Sequence, residues 1–152
     1  SNHTREALQA AEHAQAAGAD AVLLVDPYYN GPSSLEIRRE YVAPIARAGA
    51  GTEVIPYVIP GRTGAQLLPE DLALLSQTFD NVRTVKEATG NLDNMRRTRT
   101  CCGEEFTILS GDDGLTFKMM SAGDIAAAGV VSVLSNVAPA AVTKMVTVAS
   151  KM

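Results

Sequence analysis

Residues 81–91 read NVRTVKEATGN, and this stretch shows how the chain is built. A short run of apolar and β-branched residues ends on Lys86, and a Thr-Gly turn follows it. Such a run, bounded by turn residues, is typical of a buried β-strand. A lysine at that position would on its own most often point to water, because removing an ammonium group from water costs free energy. The role of Lys86 therefore depends on the residues gathered around it.

Four similar runs occur elsewhere in the chain, separated by stretches with helical periodicity. The five predicted strands span residues 20–25, 54–59, 82–86, 106–109 and 129–134. Short, nearly continuous apolar strands that alternate with helices are typical of βα units in a parallel sheet that is covered on both faces. We therefore predict an α/β fold in which residues 1–152 form a single domain.

Helix start and stop signals lie between these runs. Ser33 followed by Glu36 matches a capping box, and Pro69 occupies a typical first-turn position. Gly18 and Gly103 follow helical stretches and are predicted C-terminal caps. The helix after Ser33 is predicted to bury one apolar face, formed by Ile37, Tyr41, Val42 and Ile45.

Composition excludes several classes of function. A content of 46% hydrophobic residues in 152 fits one globular domain, and a net charge of −4 disfavours a nucleic-acid partner. The one basic cluster, at residues 96–99, is predicted to be the solvated face of a helix. No apolar run reaches about 18 residues, and the start SNHTREAL lacks the layout of a signal peptide. We expect a cytoplasmic protein with no membrane partner.

The cysteines and histidines do not show the spacing of a metal site. Cys101 and Cys102 are adjacent, and His3 and His13 have no acidic or histidine partner at ligand spacing. We expect reduced thiols near a helix end, surface histidines and no bound metal.

Chemically active side chains follow several of the predicted strands. In parallel α/β folds the carboxyl ends of the strands meet at one rim, where ligands bind. A lysine kept in a dry site supplies the neutral amine that forms a Schiff base, tyrosine relays protons, and arginine matches a carboxylate. The residues at this rim are Tyr28, Tyr29, Tyr57, Arg62, Lys86, Gly111, Asp112, Ser135 and Asn136.

Each of these residues also has a structural interpretation. Tyr57 alone would more often be a core ring, Arg62 a loop arginine, and the segment 110–113 a helix cap. No glycine-rich phosphate loop is present, so the sequence does not support nucleotide binding. Only the convergence of these side chains favours a catalytic site.

Five segments carry a resemblance to a known family. They are DPYYNGPS (26–33), PYVIPGRTG (56–64), TVKEATGNL (84–92), LSGDD (109–113) and GVVSVLSNVAP (129–139). In this order and at these spacings they resemble the dihydrodipicolinate synthase family, within the pyruvate-dependent class I aldolase superfamily. The Arg-Thr-Gly element after Tyr57 favours the synthases over the N-acetylneuraminate lyases.

The resemblance implies a reaction and the roles of its residues. Lys86 would form an imine with pyruvate, and the derived enamine would attack L-aspartate 4-semialdehyde in the biosynthesis of lysine and diaminopimelate. Tyr57 would relay protons, and Arg62 would hold the carboxylate of the semialdehyde. Tyr29 would reach into the site of a neighbouring subunit, which implies a homo-oligomer, usually a homotetramer. No metal or organic cofactor is implied.

The resemblance also implies binding positions at two further places. Gly111, Asp112 and the backbone of Val131 would line the substrate pocket. Asn2, Glu6 and Tyr28 match positions that bind L-lysine as a feedback inhibitor in regulated members.

The chain departs from the family pattern in three ways. Val58 replaces the usual asparagine after the relay tyrosine, and the segment 121–128 is longer than the usual turn before the last strand. Only about the last five units of a (β/α)8 TIM barrel, units four to eight, are matched, since such a barrel needs about 250 residues. The Gly-Thr-Thr-Gly-Glu segment that binds the pyruvate carboxylate is not in the sequence. We therefore expect a partial barrel that belongs to a longer enzyme.

Two alternatives remain at this point. The first is another pyruvate-dependent aldolase, acting on a sugar acid or a 4-hydroxy-2-oxo acid. The second is a non-catalytic fragment that binds lysine or forms oligomers.

Overall fold

The computed structural model describes residues 1–49 and 51–152, which form one parallel sheet with helices between successive strands. The five strands lie in the order of the sequence, as the alternating pattern predicts. They are β1 (Ala21–Val25), β2 (Glu53–Val58), β3 (Thr84–Glu87), β4 (Thr107–Ser110) and β5 (Gly129–Val130).

One helix precedes β1, helices connect each strand to the next, and one helix follows β5. They are α1 (Thr4–Ala16), α2 (Ser34–Glu36), α3 (Ala43–Ala48), α4 (Pro60–Thr63), α5 (Pro69–Thr78), α6 (Leu92–Cys102), α7 (Thr116–Ser121) and α8 (Pro139–Ala149). A π-helical segment, Ile37–Val42, joins α2 to α3, and a short 3₁₀ helix, Leu134–Asn136, precedes α8. None of the helices among the described residues is long and apolar enough to span a membrane.

The predicted helix signals are confirmed. Ser33 and Glu36 form a complete capping box, in which the Ser33 amide donates to Glu36 Oε2 at 2.8 Å. Pro69 begins α5, and Gly18 and Gly103 follow α1 and α6 with positive φ angles. The predicted apolar face is buried at Ile37, Tyr41, Val42 and Ile45.

The sheet has two unlike faces. Residues such as Val54, Val58 and Ile108 point toward the helices and are almost completely buried. The opposite face carries Lys86 and Tyr57, which are paired across β2 and β3. The core therefore lies between the sheet and the helices. The candidate site lies on the opposite face, at the carboxyl ends of the strands.

The prediction of a last strand over residues 129–134 is wrong after Val130. The strand β5 ends at Val130, and Leu134 already begins the 3₁₀ helix. The amides of Val133 and Leu134 donate to Asp113 Oδ2 at 3.0 and 2.9 Å. Because a carboxylate from the β4–α7 loop takes these donors, they do not continue the sheet ladder.

The prediction that residues 96–99 form one solvated face is also wrong. They lie on α6, but Thr98 is buried, and the guanidinium of Arg99 donates to the carbonyls of five other residues. These acceptors belong to the segments 103–106 and 125–126. Arg99 therefore ties α6 to the loops that flank β4.

The adjacent cysteines lie at the end of α6 as half-buried free thiols. Burial raises the pKa of Cys102 to about 12. Among residues 1–49 and 51–152, no group of three or more histidine, cysteine, aspartate or glutamate side chains is placed to hold a metal ion.

Candidate active site

Lys86 lies at the end of β3 and is only 8% exposed. Its register partners are Tyr57 on β2 and Leu109 on β4. The ammonium nitrogen Nζ lies 3.8 Å from the centroid of the Tyr57 ring. A cation held this close to an aromatic face is stabilised by the ring and kept from full hydration. Lys86 is therefore not the solvent-facing strand end that a lone lysine would be.

Gly111 allows the Lys86 side chain to follow its path. A Cβ built on Gly111 would lie 3.0 Å from Lys86 Cε and 2.8 Å from the Cβ of Ala88. The approach to Ala88 is too short for a real side chain and the approach to Lys86 is tight, so a larger residue would require Ala88 and the lysine side chain to shift. The amide of Gly111 also donates to the Glu87 carbonyl at 2.8 Å, which fixes the turn after β4 against β3.

Asp112 and Asp113 have different surroundings. The Oδ1 atom of Asp112 accepts the amides of Gly114 at 2.8 Å and Leu115 at 3.2 Å, so this carboxylate caps the turn before α7. Asp113, which the sequence analysis did not assign a role, binds the start of the 3₁₀ helix. Hydrogen bonds, first of all from the Ser132 side chain, lower the pKa of Asp113, and the charge of Lys86 contributes.

Arg62 lies on the single turn α4 and is exposed. Within the part of the chain that the structure describes, its guanidinium has no hydrogen bond or ion pair. The turn ends at Gly64, whose φ of 68° is easily adopted only by glycine. Arg62 is thus an available cation beside the rim, on a turn of defined geometry.

Tyr29 is not gathered with Lys86 and Tyr57. Its ring is 91% exposed, and its φ of 80° lies in the left-handed region, which is strained for a tyrosine. Strain of this kind costs about 1–3 kcal/mol and is found preferentially at functional sites. Val131 follows β5, donates its amide to the Ser110 carbonyl at 2.9 Å and is 40% exposed.

The residues matched to a lysine effector are only partly brought together. The Asn2 side-chain amide donates to the Tyr28 carbonyl at 3.2 Å. Both residues line a cavity of ≈ 210 Å³, which Thr4 and Tyr41 also border. Glu6 does not line this cavity, and its carboxylate accepts the hydroxyl of Ser1 at 2.7 Å.

Sequence analysis missed two buried carboxyls behind the rim, Asp26 and Glu87, which are 0% and 1% exposed. Burial raises the pKa of Asp26 to about 7; the Leu67 amide opposes this shift, and the charge of Glu87 adds to it. Burial also raises the pKa of Glu87. The signal in the sequence was the one that marked Lys86, a charged residue at the end of an apolar strand.

The fold and this rim define a class: a protein of the β/α-barrel type with a lysine-centred site at the carboxyl ends of its strands. The family model described as "Dihydrodipicolinate synthetase family" matches residues 1–151. The chain belongs to this family.

Relatives and solved structures agree with this assignment. The chain is 46% identical to the 4-hydroxy-tetrahydrodipicolinate synthase of Geobacter sulfurreducens, over 95% of its own length and 48% of the relative. It is 44% identical to the synthase of Geotalea daltonii, again over 48% of that protein. The dihydrodipicolinate synthase of Aquifex aeolicus superposes with a TM-score of 0.92 at 36% identity, over 99% of this chain and 50% of the other.

Two further structures bear on ligands. The Acinetobacter baumannii synthase complexed with pyruvate gives a TM-score of 0.88 at 36% identity, over 97% of this chain and 49% of the other. The Cyanidioschyzon merolae synthase with lysine bound gives 0.88 at 35% identity, over 95% and 47%. The chain therefore spans about half the length of the proteins it matches, and its fold is a partial β/α barrel.

Proposed function

We propose that this chain contributes the lysine-bearing part of a barrel that condenses pyruvate with L-aspartate 4-semialdehyde to give 4-hydroxy-tetrahydrodipicolinate. This is a step in the biosynthesis of lysine and diaminopimelate. The observation that carries the proposal is the position of Lys86, nearly buried and with its Nζ against the Tyr57 ring, in a chain of this family. In this proposal residues 1–152 form one partial catalytic domain.

In this proposal Lys86 is the nucleophile. After its ammonium group loses a proton, the amine attacks C2 of pyruvate, water leaves, and an iminium forms. Loss of a proton from the methyl carbon gives an enamine, which attacks the aldehyde carbon of the second substrate. The amino group of that substrate then replaces Lys86 at C2, which closes the ring and frees the lysine. The reaction uses no metal or organic cofactor.

Neighbouring residues receive supporting roles. Tyr57 relays protons to and from the substrate oxygens, close to the amine on which its ring packs. Arg62 binds the carboxylate of the semialdehyde with its planar fork of donors. Gly111, Asp112 and the backbone of Val131 shape the pocket: Gly111 by its contact with Lys86, and Asp112 by fixing the loop after β4.

Tyr29 implies a second subunit. Its exposed ring and strained backbone fit a residue that completes the proton relay in a neighbouring site. We therefore include a homo-oligomer, a homotetramer in the family pattern, and a cytoplasmic location in the proposal.

L-lysine is proposed as an effector. The Cyanidioschyzon merolae synthase has lysine bound, and Asn2 and Tyr28 of this chain border one cavity. Glu6 lies outside that cavity and would have to leave Ser1 to bind the amino group of the ligand.

Turnover with both substrates tests the proposed reaction, with the cyclic product detected by mass spectrometry. Lys86→Ala should abolish product, whereas Lys118→Ala, which removes an exposed lysine on α7, should not. The assay is run on the chain as it is and on the chain supplied with the first half of the Geobacter sulfurreducens enzyme. Product that persists in Lys86→Ala would contradict the proposal.

The alternatives are separated by Arg62. If the chain acts on the semialdehyde, Arg62→Ala should raise KM for that aldehyde by about tenfold or more, in line with the loss of a charged hydrogen bond. An unchanged preference among aldehydes would favour a different pyruvate-dependent aldolase. Lysine binding in calorimetry without any keto-acid reaction would favour a non-catalytic sensor.

A further inference from the structure

The segment that carries Arg62 is fastened at three consecutive residues. We call residues 60–68 the Arg62 turn; it comprises α4 and the extended segment that leads to α5. Gln66, Leu67 and Leu68 hydrogen-bond to three different parts of the chain: α6, the residue after β1, and α2. Arg62 itself has no hydrogen bond or ion pair among the described residues. Its position is therefore set by these anchors.

The first anchor is a buried carboxylate. Asp26, at the end of β1, accepts the Leu67 amide on Oδ2 at 3.0 Å. Asp26 is 0% exposed, and among the described residues its second oxygen, Oδ1, has no hydrogen-bond partner. Burying such an oxygen costs free energy, so ordinary packing does not account for a carboxylate at this position.

The second anchor joins the turn to the strand of Lys86. The Gln66 side-chain amide donates to Asn94 Oδ1 at 3.1 Å, and Asn94 donates to Glu87 Oε2 at 3.0 Å. Glu87 follows Lys86 directly in β3 and is 1% exposed. Because side chains alternate along a strand, Lys86 and Glu87 lie on opposite faces of the sheet. Lys86 lies on the face of the candidate site, and Glu87 lies on the face that carries Asn94 and the second anchor of the Arg62 turn.

The third anchor is neutral. The Leu68 amide donates to Ser34 Oγ at 2.8 Å, and Ser34 donates to Asp71 Oδ2 at 2.5 Å. Asp71 also pairs with Arg38 at 2.9 Å. This anchor lies at the end of the turn farthest from Arg62 in sequence and holds the start of α5.

We propose that Asp26 and Glu87 are positioning residues of the site: they fix the Arg62 turn relative to the strand of Lys86, and the charge on Asp26 determines how firmly. The inference rests on the proposed function for the role of Arg62 as a carboxylate ligand. Neither carboxyl touches the substrate. They set the distance between the cation that binds the second substrate and the amine that binds the first.

The charge on Asp26 matters because an ionised acceptor forms a hydrogen bond about twice as strong as a neutral one. Burial raises the pKa of Asp26 to about 7, so its carboxylate gains a proton as the pH falls through that value. The titratable groups that face it are Glu87 from β3 and Tyr41 from the π-helical segment. Burial raises the pKa of Tyr41 to about 12, so Tyr41 stays neutral there. The turn should therefore be held more firmly above pH 7 than below it.

The test follows the backbone amides of the turn by NMR between pH 5 and 9, using this chain and no substrate. We expect the Leu67 and Arg62 amide shifts to titrate together with a midpoint near the Asp26 pKa of about 7. Asp26→Asn keeps an acceptor of the same shape and should abolish the titration. Gln66→Ala should speed hydrogen exchange of Leu67 by about tenfold. The control Gln77→Ala removes an exposed glutamine on α5 and should change neither readout.

Each outcome decides the inference. A Leu67 amide that does not titrate, or one that titrates while Arg62 does not, would overturn it. The same holds if the titration survives in Asp26→Asn. A purely structural role would slow or speed exchange throughout the chain and would not produce a shared midpoint at two amides of one turn.

The result is separable from the proposed function. Borohydride trapping of pyruvate reports on Lys86 alone and needs no aldehyde. A shared titration without trapping, even when the first half of the barrel is supplied, would support the positioning role and contradict the reaction. Trapping without the titration would do the reverse. In a barrel that turns over, Gln66→Ala should raise KM for the aldehyde by about tenfold and leave KM for pyruvate unchanged.

Discussion

At the residue scale, the burial of the Lys86 side chain depends on residues from neighbouring strands and loops more than on its own strand. The Tyr57 ring covers the ammonium group, and Gly111 leaves room for the lysine's methylene chain. Either neighbour could be a structural residue by itself. Together they hold a lysine at 8% exposure without an ion pair among the described residues. That combination distinguishes it from a lysine at the end of an ordinary strand.

Gly111→Ala should disturb this arrangement. The new Cβ would meet Lys86 Cε and the Cβ of Ala88, so we expect a loss of about 1–3 kcal/mol of stability together with lower reactivity of the lysine. Denaturant unfolding and pyruvate trapping measure the two effects. Gly123→Ala is the matched control, because a Cβ at Gly123 meets nothing within 4 Å. Equal stability of both variants would contradict the contact.

Asp26 gives a pH prediction with a definite sign. Its pKa is raised from 3.8 to about 7 in the folded chain, so the folded state binds one more proton than the unfolded state between these values. Protonated Asp26 therefore makes its full contribution to the free energy of unfolding below pH 3.8. This contribution is lost as pH rises through 7, by about 4 kcal/mol in all. Asp26→Asn should remove this loss, so its stability advantage over the native chain should grow from pH 4 to 7. The free energy of unfolding in urea is measured for both chains at each pH. If it changes with pH equally in both, the raised pKa does not belong to Asp26.

At the element scale, local signals predicted the helices well, and long-range contacts account for the errors. The capping box at Ser33 and the apolar face after it depend on residues a few positions apart. The end of β5 depends on Asp113, which lies 20 residues before Val133 in the sequence. No periodicity within residues 129–134 could report that contact.

The basic cluster on α6 shows the same limit. A run of arginines predicts a solvated face, and Arg97 fits this, since it is exposed and pairs with Glu70. Arg99 is instead directed to loop carbonyls up to 27 positions away. Periodicity likewise predicts an ordinary helix over the π-helical segment Ile37–Val42, because this segment keeps the same buried side chains.

Arg99→Lys should therefore destabilise the chain more than Arg97→Lys does. A lysine cannot reach five carbonyls with one ammonium group, and we expect a loss of about 2–3 kcal/mol. Arg97→Lys alters an exposed ion pair and should cost less than about 1 kcal/mol. Thermal unfolding of the two variants compares them directly. Similar melting temperatures would show that the carbonyl contacts contribute little.

At the scale of the whole molecule, the sheet face with Lys86 is the more open one. Leu23 of β1 and Val131 after β5 lie on this face by register and remain 48% and 40% exposed. The sequence predicted the partial barrel through the order of its five segments, and the relatives are about twice as long. It could not predict which rim residues meet: Tyr57 and Lys86 do, whereas Glu6 lies outside the cavity that Asn2 and Tyr28 border.

An open apolar face beside an edge strand favours association between chains. Leu23→Lys should therefore shift sedimentation of the isolated chain toward the monomer. Leu74→Lys changes a leucine of similar exposure, 44%, on the helical side and should leave association unchanged. If both variants sediment alike, the open face does not drive association.

The proposed reaction depends on a Schiff base between Lys86 and pyruvate. The most direct test incubates the chain with pyruvate and borohydride, digests it and maps any adduct by mass spectrometry, with Lys86→Ala and Lys118→Ala alongside. We predict a reduced pyruvyl adduct on the peptide that contains Lys86, absent in Lys86→Ala and retained in Lys118→Ala. An adduct spread over exposed lysines, or none even when the first half of the barrel is supplied, would show that Lys86 is not the Schiff-base lysine.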